Sequence, residues 1–338
     1  MRRIFRVPER IWRWMRTHRW PTLCLAALLA LLALNVVAFN QAWSMTHFSA
    51  SGARTANPEA LSFLEKVRVG VTGVSLPKPI NSLDPSHVGL EFETVRFGGA
   101  TGSELEGWFI PHERAKGCVF FAHGYGACKS SLLKEASGVH RLGYSALLVD
   151  FHGSGGSEGR VTSLGVGEAD DVADAVAFVK RKSPTSPVIL YGQSMGSAAI
   201  LRAIVVHGIE PAAIIVECPF DRLLSTAENR FRAMGLPPFP AARVLIFWGG
   251  VQLGFNGFQH NPAEYAREVR CPVLFLHGAK DPRVTLEQAQ AVFDNLAGEK
   301  SFVLFPTAGH ESLLAADADL WASSVSHFLT NLHHTSAP

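Results

Sequence analysis

Charge is scarce in this chain: Asp, Glu, Lys and Arg make up 18% of its 338 residues, below the roughly 25% usual in soluble domains. So thin a polar coat fits a large buried core together with a separate apolar segment. Cysteine is scarce as well, with five residues in all, too few for a disulfide scaffold. Cys118 should open a strand and Cys128 follow its end, while Cys218 ends one strand and Cys271 precedes another. Neither pair shares a sheet edge, so free thiols are expected. No His-Glu-x-x-His, Cys-x-x-Cys or phosphate-loop pattern occurs, and the sequence implies no metal and no cofactor. Internal repeats and low-complexity segments are also missing. The net charge is only +2, and seven arginines lie among the first 20 residues against Glu9 alone. The rest of the chain is therefore slightly acidic, which excludes a nucleic-acid footprint.

One long hydrophobic run is present. From Leu23 to Phe39 only Asn35 is polar, and Trp20 and Trp43 bracket the run as interfacial aromatics do. Seventeen helical residues extend about 25 Å and the Trp-to-Trp stretch about 36 Å, enough to cross a hydrocarbon core of about 30 Å. The reading is a basic cytoplasmic arm over 1–20, a transmembrane helix over 21–43 and a tether over 44–88. The arginines hold the amino-terminal side in the cytoplasm by the positive-inside rule, which puts the catalytic domain on the extracytoplasmic face. A cleaved signal peptide is the rival; its best small-residue site, Ser51-Gly52-Ala53, lies far from the apolar core.

Beyond residue 88 the pattern becomes regular. LEFETVRF and ELEGWFIP alternate like an antiparallel pair. Apolar strands and amphipathic helices then take turns through CVFFAH, SALLVDF, VILYG, AAIIVE, PVLFLHG and SFVLFP. Such alternation implies βαβ crossovers and a mostly parallel, doubly wound sheet, with the ligand site at the carboxyl ends of its strands. Residues 221–266 interrupt the rhythm with a Pro-, Gly- and aromatic-rich stretch, read as a helical cap inserted into a domain spanning 89–332. Its apolarity suits an acyl-chain pocket or ordinary packing.

The run VILYGQSMGSAAILRAIVVHG, residues 188–208, carries the most chemistry. A β-branched strand stops at Gly-x-Ser-x-Gly and a helix starts at once, which is a nucleophile elbow with Ser194 at its tip. The same pattern recurs at Ser157, but there it lies in a glycine-rich loop with no helix following. A serine hydroxyl needs a base to take its proton, and the base needs an acid to orient it. In this fold the chain order is Ser, acid, His. Asp281 in PVLFLHGAKDPRV and His310 in SFVLFPTAGHES stand at strand ends in that order, with Asp221 as the alternative acid. Asp281 could instead cap the helix starting near Thr285. The backbone N–H groups of Met195 and Tyr125 are the candidate oxyanion donors. His123 reads as a structural residue tying down the Tyr125 loop.

These segments (HGYGA, LLVDFHGSGGSEG, GQSMG, PVLFLHGAKDPRV and AGHES) resemble the α/β-hydrolase superfamily, and within it the serine aminopeptidase/monoacylglycerol-lipase-like branch with an amino-terminal membrane anchor. The resemblance covers about residues 90–332 and implies Ser194, Asp281 and His310 as the triad, with Tyr125 and Met195 as oxyanion donors. The expected protein is a membrane-anchored serine esterase, lipase or thioesterase acting on a small-molecule, lipid or acylated substrate through an acyl-enzyme. A serine peptidase on the same triad is the second reading, and a catalytically silent membrane scaffold the third.

Overall fold

The computed structural model describes residues 19–56, 60–98 and 102–335. Most of the basic arm, residues 1–18, lies outside them. Helix α1 runs Arg19–Thr46, three residues past the expected span, so that its last turn reaches the folded domain. It is the one helix among the described residues long and apolar enough to cross a membrane.

Eight strands form one sheet: β1 Glu93–Gly98, β2 Glu104–Ile110, β3 Cys118–Ala122, β4 Ser145–Val149, β5 Val188–Gln193, β6 Ala213–Glu217, β7 Val273–Gly278 and β8 Lys300–Phe305. Their order is β1-β2-β4-β3-β5-β6-β7-β8. The first two pairings are antiparallel and all others parallel; the β1–β2 pair and the mostly parallel sheet follow the sequence pattern, and the antiparallel β2–β4 pairing is added by the structure. Central strands are buried along their whole length. This is why they read as continuous apolar runs rather than alternating ones.

Side-chain alternation divides the core between the two faces of the sheet. Phe120, Leu147, Leu190, Ile214 and Phe275 point to one face, covered by α4 (Glu168–Lys182), α5 (Met195–His207) and α8 (Leu286–Asn295). Phe121, Leu148, Tyr191, Ile215 and Leu274 point to the other, under α3 (Leu133–Arg141) and α9 (Ala318–Thr335). Helix α4 begins with Glu168, Asp170 and Asp171 and ends with Lys180, Arg181 and Lys182, complementing its macrodipole at both ends. The expected cap contains α6 (Leu223–Ala233), α7 (Ala241–Leu253) and short turns.

Residues 44–88 do not form a free tether. They include α2 (Phe63–Thr72) and lie along the domain through specific polar contacts. Arg54 donates to the Gly126 carbonyl at 2.7 Å, Lys78 to the Ser157 carbonyl at 2.6 Å, and Asn81 to Asp150 at 2.7 Å. Pro77 and Pro79 fit an extended segment whose polar groups are satisfied by loops distant in sequence. All five cysteines are free thiols.

Candidate active site

The site forms where β5, β6, β7 and β8 end. Ser194 joins β5 to α5 with φ 51° and ψ −112°, a left-handed conformation costing a non-glycine residue about 1–3 kcal/mol. The turn is held by Ser194 N–H donating to the Glu217 carbonyl at 2.7 Å. Its flanking glycines are required by close approach: a Cβ on Gly196 would lie 2.1 Å from the Ala122 carbonyl oxygen, and one on Gly192 2.6 Å from the Ser197 nitrogen.

Ser194 Oγ lies 3.0 Å from His310 Nε2, and His310 Nδ1 lies 2.6 Å from Asp281 Oδ2. The three residues expected from chain order are thus brought into one hydrogen-bonded series. Asp281 is buried, and its second oxygen accepts from the Arg283 and Val284 amides at 2.7 and 2.9 Å. Burial alone would raise its carboxyl, but the His310 bond and these amides outweigh burial and hold it below the usual carboxylate range. The helix-capping role falls to Thr285, whose side chain accepts from the Gln288 N–H in a capping box. Asp221, the alternative acid, bonds Arg222 and Ser225 instead.

Ser157 is buried and not in the site: its hydroxyl donates to the Asp150 carbonyl at 2.6 Å and accepts from the Glu106 amide at 2.8 Å. His123 is also buried; its Nε2 accepts from the Phe151 amide at 3.1 Å, and its Nδ1 lies 2.9 Å from the Gly124 carbonyl. Burial lowers its pKa, which suits a neutral ring pinning the loop. That loop runs beside Ser194, since a Cβ on Gly124 would lie 3.7 Å from the Ser194 Cβ. Tyr125 and Met195 both line the cavity that contains Ser194 and His310. As the first residue of α5, Met195 has an N–H with no intrahelical acceptor.

Two contributors escape sequence reasoning. Glu217, at the end of β6, is fully buried. It accepts from the Tyr191 hydroxyl, from Gln193 at 3.2 Å and from the Leu313 amide at 2.9 Å, so it ties β5 to the loop following His310. Burial raises its pKa against the pull of those bonds. The sequence signal is a lone carboxylate closing an otherwise apolar strand. Gly278 is the second: a Cβ there would lie 2.3 Å from the Gly309 carbonyl oxygen, so its absence lets the His310 loop close on β7.

A cavity of about 180 Å³ leads away from Ser194. Its walls come from α1 (Ala42, Met45, Thr46), the 54–76 segment, α6 and α7. The Tyr125 hydroxyl donates to the Met45 carbonyl, joining the loop after β3 to the last turn of α1. No carboxylate lines this cavity among the described residues, while Arg54, Arg230 and Arg283 do.

The sequence profile of the family described as "Serine aminopeptidase, S33" matches residues 113–240. The esterase Pf2001 of Pyrococcus furiosus superposes with a TM-score of 0.65 at 21% identity, covering 75% of this chain and 96% of that one. The chain has the α/β-hydrolase fold. The chain is 24% identical over 237 residues to the uncharacterized protein YqkD of Bacillus subtilis, covering 69% of this chain and 78% of that one. It is also 25% identical over 169 residues to the lysophosphatidylserine lipase ABHD12 of Danio rerio, a match spanning 47% of this chain and 41% of the lipase.

Proposed function

We propose that this hydrolase is a membrane-anchored serine hydrolase that cleaves carboxylic esters or thioesters, on lipid or acylated substrates, through an acyl-enzyme. The observation that carries the reading is the series from Ser194 Oγ through His310 to Asp281, at 3.0 and 2.6 Å. In this scheme His310 Nε2 takes the hydroxyl proton as Ser194 Oγ attacks the carbonyl carbon. Asp281 accepts from Nδ1–H, fixing the tautomer and stabilising the imidazolium. The negative charge on the carbonyl oxygen is met by the N–H groups of Tyr125 and Met195. Collapse expels the leaving group, which takes its proton from His310. Water activated by the same base then releases the acid and restores Ser194.

Helix α1 supports the anchor, with the domain extracytoplasmic by the arginine bias. Esterase and lipase relatives support ester chemistry. The family profile named for an aminopeptidase favours a second reading, peptide hydrolysis by the same residues. An aminopeptidase needs a group to hold the substrate amine; among the described residues the cavity walled by α1, α6 and α7 offers none, while Glu217 and Glu311 line a second pocket at Ser194 and His310.

Treatment with a fluorophosphonate tests the proposal. Labelling should map to Ser194 by mass spectrometry and vanish in Ser194→Ala, which should also lose at least about 10³-fold in ester turnover. Retained ester hydrolysis in that variant would sink the mechanism, and faster turnover of matched amides than esters would favour the peptidase.

A further inference from the structure

Asn35, the one polar residue of the run 23–39, has a partner on the cap. Its Oδ1 accepts from Trp248 Nε1 of α7 at 3.0 Å, and its Nδ2 donates to the Leu31 carbonyl at 2.9 Å. One turn on, the Phe39 ring meets Trp248 edge-on with centroids 5.3 Å apart, and the Phe39 carbonyl accepts from Gln252 at 2.8 Å. A Cβ on Gly249 would lie 3.9 Å from the Ala42 side chain. Helix α7 therefore lies against α1 from Asn35 to Ala42.

At 1.5 Å per residue, Asn35 is about 12 Å along the axis from Trp43. With Trp43 at the interface, that is most of the way through one leaflet of a hydrocarbon core about 30 Å thick. A second, independent observation agrees. The side of α7 turned from the domain exposes Phe247 and Val251 at 51% and 55%, and the loop before it exposes Leu236 and Phe239. Exposed aromatic and aliphatic side chains clustered on one side mark a membrane or partner surface. Continuity with α1 selects the membrane. On its inner side α7 contributes Ile246, Gly250 and Leu253 to the cavity that ends at Ser194.

We propose that α7 is seated in the leaflet adjoining the catalytic domain, and that the substrate is a single-chain acyl ester drawn laterally from it along the wall shared by α1 and α7. This rests on the reading of α1 as a membrane span and Ser194 as the nucleophile. The cavity then receives the acyl chain without exposing it to water, and the half-buried Asn35–Trp248 bond satisfies both polar groups at a depth where an unpaired one is costly.

The test uses the full chain in phosphatidylcholine vesicles, with a fluorophore placed at Phe247→Cys or, for reference, Leu304→Cys on β8, in a background carrying Cys24→Ser and Cys271→Ser, the two free thiols that are not buried. The Phe247 label should be quenched by chain-brominated lipid and protected from iodide, and the Leu304 label the reverse. Equal iodide quenching at both sites would overturn the seating. In a second arm, Phe247→Glu combined with Val251→Glu should lower hydrolysis of a vesicle-borne long-chain monoacyl ester by at least about ten-fold. Soluble p-nitrophenyl butyrate should stay within about two-fold, since both positions lie outside the cavity. Undiminished turnover of the vesicle substrate would overturn lateral access. Failure of the unaltered protein to hydrolyse either ester would bring down the hydrolase reading and the substrate with it, while the label depth still decides where α7 sits.

Discussion

Glu135 sits near Glu217, buried, its Oε1 accepting from the Ser312 hydroxyl at 2.7 Å. Burial first, and then the nearby Glu217 charge, push its carboxyl up to about 7 from 4.5. A raised carboxyl means that the folded chain keeps a proton which the unfolded chain releases. The native state is therefore favoured most below pH 4.5, loses ground between about 4.5 and 7, and is level above. Glu135→Gln keeps an acceptor for Ser312 and removes that slope. By chemical denaturation it should match the unaltered protein near pH 4.5 and exceed it at pH 8 by on the order of 1–3 kcal/mol; parallel pH profiles would show the group ionised in both states. The residues legible in the sequence were those whose position follows from local rules: Ser194 from the turn it needs, and Asp281 and His310 from strand-end placement in a fixed chain order. Glu217, Glu135 and Gly278 act through neighbours distant in sequence, so no spacing announces them.

At the scale of elements, the elbow depends on how closely β3, β5 and α5 approach. Gly196→Ala would force its Cβ against the backbone carbonyls of Ala122 and His123, at 2.1 and 2.8 Å, and neither can yield without parting strand from helix. A loss above about 3 kcal/mol, or no folded product, is expected. Gly70→Ala in α2 meets nothing within 4 Å and should raise stability by about 0.5–1 kcal/mol through helix propensity alone. Thermal melts of the two variants give the comparison, and equal effects would contradict the close-approach argument. The mostly parallel sheet was legible because buried parallel strands leave continuous apolar runs; its spatial order, with β4 between β2 and β3, was not, since a run of apolar residues does not name its neighbour. Residues 44–88 were not: an extended segment held by Arg54, Lys78 and Asn81 has the composition of a linker, and its docking is written in its partners.

Across the whole molecule, α1 is more than a leash. It buries Ala38 and Ala42, walls the cavity with Ala42, Met45 and Thr46 and supplies the acceptor for the Tyr125 hydroxyl. Cleavage at 51–53, the rival fate of the amino terminus, would strip all three contributions. A chain starting at His47 should unfold at lower temperature than the full chain and lose turnover of long-chain esters more than of short ones. Equal loss on both, measured as kcat/KM across a chain-length series, would show that the helix serves the fold and not the pocket. The shared wall has a kinetic consequence for this proposed enzyme. A substrate that reaches Ser194 along a helix held in the bilayer is met in two dimensions, so velocity should track the mole fraction of ester in the surface. Adding inert phospholipid at constant bulk substrate would then slow the reaction as surely as a competitive inhibitor.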